Sequence, residues 1–150
     1  MIDVDRAPVL LVEDEEDHAR FIVRTITALK GNTHPVIHLK NGKEALDFFI
    51  KNSRYQEGMD RLPLFILLDI NMPMIDGFEV LEEIKKNETL RMVPVIMLTT
   101  TSRAEDIKRA LNLGANDFIV KPVSFSDFTD KIRQLALYWG FVSDIKEIFC

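Results

Sequence analysis

Five short apolar runs, each followed by a longer stretch with helical spacing, leave this chain few folds to choose from. The runs are 9–12 (VLLV), 36–39 (VIHL), 64–68 (LFILL), 95–98 (VIML) and 118–120 (FIV). None alternates apolar with polar residues, as expected of strands covered on both faces in a parallel sheet. Between them, Phe21, Ile22, Thr25, Ile26 and Leu29 recur at helical spacing, as do Ala45, Leu46, Phe49 and Ile50, then Val80, Leu81 and Ile84. Ile107, Ala110 and Leu111, and then Phe125, Phe128, Ile132 and Leu135, continue the pattern. Right-handed crossovers then give an open α/β sheet, doubly wound, with helices on both sides.

The 150 residues are expected to form one domain, with a core over about 7–139 and a tail at 140–150. A chain of this size buries roughly 70% of its unfolded surface. With 47% hydrophobic and 29% charged residues it has the composition of a globular protein. The net charge of -5 argues against a nucleic-acid partner. Cys150 is the single cysteine, so no intramolecular disulfide can form. The N-terminal residues lack a signal-peptide pattern, and no apolar run approaches the roughly 20 residues that span a bilayer. A cytoplasmic protein with no membrane partner is expected.

Ligands of doubly wound sheets bind beyond the carboxyl ends of the strands. There the chain places Glu13 and Asp14 after the first run, Asp69 after the third, Thr99 after the fourth and Lys121 after the fifth. Carboxylates brought together repel one another, and a divalent cation removes that cost. Oxygen ligands select Mg²⁺, which also takes phosphate oxygens. With the cation in place Asp69 is a candidate nucleophile toward a phosphoryl group, and the Lys121 ammonium and Thr99 hydroxyl are candidates to meet its oxygens.

The segments "LLVEDEEDH", "LLDINMPMIDGFEVL", "PVIMLTTTS" and "GANDFIVKP" come in order at these strand ends. With them the chain resembles a response-regulator receiver domain from Val9 to about Tyr138. The resemblance implies a flavodoxin-like (βα)5 fold with strand order 2-1-3-4-5. It implies that Asp14 and Asp69 ligate Mg²⁺ with the backbone carbonyl of Asn71, Glu13 assisting directly or through water, and that Asp69 accepts the phosphoryl group. It further implies a cis bond between Lys121 and Pro122, a switch pair of Thr99 and Phe118, and control of phosphoryl lifetime by Asn71 and Thr101. Many relatives carry tyrosine where Phe118 stands, so a contact through that hydroxyl is absent.

The implied partner is a sensor histidine kinase or a histidine phosphotransfer protein, pairing near Ala19, Ile22 and Ile26. Output is expected through the surface of the fourth helix, fifth strand and fifth helix, by partner binding or homodimerisation, without an attached output domain. The segment before Pro63 and the ending "LALYWGFV" resemble single-domain regulators of phytochrome-type kinases. Two alternatives stand beside this assignment. One is a receiver-fold binding module that works without phosphorylation. The other is an aspartyl-phosphate phosphohydrolase, disfavoured because Asn71 cannot act as the general acid two residues after the nucleophile. The acidic run after Asp14 reads as a solvated helix start, Asp76-Gly77 as a turn, and His18, His34 and His38 as residues without metal-ligand spacing.

Overall fold

The computed structural model describes residues 7–29, 31–51, 62–100, 103–121 and 124–141. Strands β1 (Val9–Val12), β2 (Val36–Leu39), β3 (Ile66–Asp69), β4 (Val95–Thr99) and β5 (Asp117–Val120) form one sheet. All pair in parallel, in the order β2-β1-β3-β4-β5. The expected strand order is therefore present. Between and after the strands lie α1 (Glu16–Thr27), α2 (Gly42–Lys51), α3 (Gly77–Lys86), α4 (Ala104–Asn112) and α5 (Phe125–Ala136). A short 3-10 turn (Leu90–Met92) precedes β4, and a π-type turn (Leu137–Phe141) extends α5. Among the described residues, no helix is long and apolar enough to cross a membrane.

Successive strand residues point to opposite faces, so each continuous apolar run feeds two cores. Leu10, Val12, Ile66, Leu68, Val95 and Met97 pack with Ala45 and Phe49 of α2, Leu81 and Ile84 of α3 and Ala110 of α4. Val9, Leu11, Phe65, Leu67, Ile96 and Leu98 pack with Ala19, Ile22 and Ile26 of α1 and Phe128, Ile132 and Leu135 of α5. Helix starts are fixed locally. Asp76 Oδ1 accepts from the Glu79 N–H at 3.0 Å and Ser124 Oγ from the Asp127 N–H at 3.2 Å, each satisfying a donor that the helix leaves open.

Two details differ from the expectations. First, β3 begins two residues into its apolar run and takes in Asp69, which pairs in register with Leu98. Leu64 and Phe65 precede it but still bond toward β1, through Leu64 N to Pro8 O at 2.9 Å and Leu10 N to Phe65 O at 3.2 Å. Thr99 is likewise the last residue of β4 instead of the first beyond it. Second, Ala19, Ile22 and Ile26 are at most 2% exposed. They hold α1 to the sheet, and the outward face of α1 carries Arg20, Arg24 and Thr27. The aromatic pair that follows α5 divides its work. Trp139 packs on the α1–α5 core, whereas Tyr138, 65% exposed, meets its edge at 4.9 Å between ring centroids.

Candidate functional site

Parallel pairing brings the carboxyl ends of β1, β3, β4 and β5 together, and with them four groups from distant parts of the chain. Glu13 and Asp14 follow β1, Asp69 ends β3, Thr99 ends β4 and Lys121 follows β5. Single ligand oxygens of Glu13, Asp14 and Asp69 all lie within 4.8 Å of one another. Glu13 is fully buried and Asp69 nearly so. The Lys121 ammonium donates to Glu13 Oε2 at 2.8 Å and stands 3.9 Å from Asp69 Oδ1. Its side chain is only 6% exposed, so this pairing operates with little help from water.

Thr99 is fully buried, and its carbonyl accepts from the Lys121 N–H at 2.7 Å, which places the hydroxyl-bearing residue and the lysine on neighbouring strand ends. Asn71 donates its N–H to Asp69 Oδ1 at 3.3 Å. Phe118 pairs with Met97 in the sheet and packs, half-buried, on the α2–α4 side. Pro122 and Thr101 lie outside the described residues, and so does the bond proposed to be cis.

Three carboxylates beside a single lysine leave the site short of positive charge. Burial, then the Glu13 carboxylate, pushes the Asp69 carboxyl up from 3.8 to about 8, against the opposing pull of Lys121 and the Asn71 N–H. Asp14 Oδ1 is buried without a hydrogen-bond partner among the described residues. An acceptor left unsatisfied beside a carboxyl that resists ionising fits a hard divalent cation, because the donors are all oxygen. Glu13, Asp14 and Asp69 each offer an oxygen to such a cation.

The raised carboxyl predicts a sign for stability. Between about 4 and about 8 the folded protein keeps a proton on Asp69 that the unfolded chain has lost, so metal-free stability falls as pH rises through that window and levels off above it. Magnesium should reverse the loss by about 2.7 kcal/mol at a hundredfold excess over its dissociation constant. Thermal unfolding across the window, with and without Mg²⁺, checks this. A melting temperature indifferent to both would contradict the described electrostatics.

Several parts of the site were not foreseen. His18 Nδ1 stands 3.2 Å from Lys121 Nζ, and His38 Nε2 stands 2.8 Å from the Glu13 carbonyl. The signal for His18 was its position four residues before Ile22, which puts it on the inward face of α1 one turn closer to the crevice. Gly77, expected as a turn residue, serves by close approach. A Cβ there would collide with the Asp69 carbonyl and lie 2.8 Å from Ile70 Cα. Gly42, at the start of α2, would likewise bring a Cβ to 2.5 Å from the Ile75 carbonyl. The loop after Asp69 is thus clamped between the starts of two helices. A groove of about 650 Å³ along α1 and β2 is rimmed by Arg20, Arg24 and Lys40, but Asp69 and Lys121 do not line it. Convergent charge, and not cavity size, marks the site.

Comparison with known proteins agrees with this geometry. A family profile described as the response regulator receiver domain matches residues 9–133. The probable methanogenesis regulatory protein FilR2 of Methanothrix harundinacea is 41% identical over 87% of this chain and 82% of its own length. The response regulator Rcp1 of Synechocystis is 32% identical over 87% of each chain. A crystal structure of the Mn²⁺-bound form of Rcp1 superposes with a TM-score of 0.78 at 30% identity, covering 89% of this chain and 94% of that one. The phosphorylated cyanobacterial phytochrome response regulator RcpA does so with a TM-score of 0.76, the same identity and the same coverage.

Proposed function

The chain belongs to the response regulator receiver family, the phosphoacceptors of two-component signalling, and on that premise we propose that Asp69 is the residue that takes the phosphoryl group. The observation that carries the assignment is the meeting of Glu13, Asp14 and Asp69 within 4.8 Å beside a buried lysine. Asp69 attacks phosphorus in line; the phosphorus–nitrogen bond of a phosphohistidine breaks, and its electron pair stays on the departing imidazole. Asp14, Asp69 and the Asn71 carbonyl would hold Mg²⁺, with Glu13 direct or through water. When bound, the cation neutralises charge on the carboxylates and the phosphoryl oxygens.

The chain supplies the rest of the chemistry itself. Lys121, already 3.9 Å from Asp69 Oδ1, meets one phosphoryl oxygen without a large movement, and the Thr99 hydroxyl meets another. Because Lys121 is buried and paired beside Asp69 before the reaction, its ammonium has a short way to move during transfer. The new charge then draws Thr99 and Lys121, and Phe118 follows into the space vacated, shifting an existing equilibrium at the α4–β5–α5 surface.

A sensor histidine kinase is the donor. RcpA is a phytochrome response regulator by description, and the resemblance to it and to Rcp1 supports a phytochrome-type kinase as the partner here. The output is partner binding or homodimerisation through α4–β5–α5. A groove of about 470 Å³ there is lined by Phe118, Val120, Gln134 and Tyr138, beside the open edge of β5. The action of the protein takes place in the cytoplasm.

Incubation with acetyl phosphate and Mg²⁺, read by intact-mass spectrometry, tests the assignment. One phosphoryl group should be gained, lost on treatment with hydroxylamine, and absent when the cation is chelated. No gain by folded protein, or sustained hydrolysis of phosphomonoesters, would overturn it.

A further inference from the structure

Lys121 has a second partner whose chemistry differs from that of the carboxylates. An ammonium has three donors and no acceptor, so His18 Nδ1, 3.2 Å from Lys121 Nζ, must accept from it. With Nδ1 accepting, the ring proton belongs on Nε2, which faces the Glu15 carboxylate at 3.7 Å. Glu15 is tied in turn to the site, since its N–H donates to Glu13 Oε1 at 3.2 Å.

We propose that His18 is a positioning residue that keeps the Lys121 ammonium aimed at Asp69 while Glu13 is engaged elsewhere. The proposal rests on Asp69 being the phosphoacceptor. Glu13 is claimed at once by the ammonium at 2.8 Å, by the Glu15 N–H and by the cation site it borders. His18 Nδ1 stands 3.9 Å from Glu13 Oε1 but closer, at 3.2 Å, to the ammonium, so its hold on Lys121 survives when the Glu13 oxygens are taken. A lysine carries four rotatable bonds, and without a second anchor its head would have to be immobilised during transfer. A ring-nitrogen acceptor suits this post. It fixes the ammonium without cancelling the charge that the phosphoryl oxygens require, which a further carboxylate would do.

The test compares wild type with His18→Leu, which removes the acceptor, and His18→Asn, whose Oδ1 sits where Nδ1 does. At saturating Mg²⁺, His18→Leu should slow phosphoryl uptake from acetyl phosphate by about fivefold or more. The fall should lie in the limiting rate and not in the half-saturating acetyl phosphate concentration, and His18→Asn should restore most of it. Equal rates in wild type and His18→Leu, or no recovery in His18→Asn, would overturn the role. Nitrogen-15 NMR of the unphosphorylated wild type reads the contact independently of any reaction and of whether the variants fold. The Nε2–H tautomer supports it, and the Nδ1–H tautomer overturns it. A wild type that takes up no phosphoryl group defeats the Asp69 assignment itself, and the inference with it.

Discussion

Replacing Asp69 with asparagine will end phosphoryl uptake altogether and, in the same preparation, raise the melting temperature of the metal-free protein at about pH 8. Both effects follow from one carboxylate. The amide has almost the same shape and can still accept from the Asn71 N–H, but it has no anionic oxygen to attack phosphorus. It also removes the group that burial and Glu13 push up to about 8, so ionisation there no longer opposes folding. A gain of at least about 2 kcal/mol is expected, or roughly 5 °C in melting temperature for a chain of this size.

The sign can be checked within the same series. At about pH 4 wild-type Asp69 holds its proton in the folded state, so the advantage of the variant should vanish; it should grow as pH rises toward about 8. Magnesium should stabilise wild type and leave the variant nearly unchanged, because a proposed cation ligand has gone. Phosphoryl uptake by Asp69→Asn, seen by intact mass, would show that the acceptor lies elsewhere. A lower melting temperature at about pH 8 would show that the carboxylates are balanced without a cation.

Gly77→Ala should be the most damaging single-methyl change in the described fold. The added Cβ would collide with the Asp69 carbonyl and approach Ile70 Cα at 2.8 Å, and both are backbone atoms that no side-chain rotation can move aside. Gly77 also donates its N–H to the Ile70 carbonyl at 2.9 Å, so the start of α3 cannot back away without breaking that bond. Overpacking of this kind costs about 3 kcal/mol. Because the displaced atoms belong to the proposed acceptor residue and its neighbour, phosphoryl uptake should fall more than tenfold even in the fraction that remains folded. Urea unfolding and acetyl phosphate kinetics on the same sample check both. A variant with wild-type stability and rate would mean that α3 does not press on the end of β3.

Much of this protein is legible in its residues because two periodicities carry it. Unalternating apolar runs mark strands buried on both faces, and spacings of three and four mark the inward faces of helices. Asp69, Thr99, Lys121 and the Glu13-Asp14 pair are legible as site residues for a topological reason, since parallel strands all deliver their carboxyl ends to one edge. Element ends are less legible. Leu64 and Phe65 are as apolar as the residues after them, and only their pairing partners decide that β3 starts at Ile66. On α1, Ala19, Ile22 and Ile26, near which a kinase was expected to pair, are themselves turned to the core, because apolar character marks that face.

Sequence alone determined the doubly wound architecture and the residue types gathered at its edge, because local hydrophobic periodicity and strand-end position are written along the chain. Tertiary structure alone decided how those residues act on one another. Lys121 pairs with Glu13 across 108 positions and with His18 across 103, and Gly77 serves by what its missing methyl would strike. Contact, burial and the pKa of a carboxyl depend on distances of a few ångströms between remote segments, and no local pattern encodes those until the sheet has closed them.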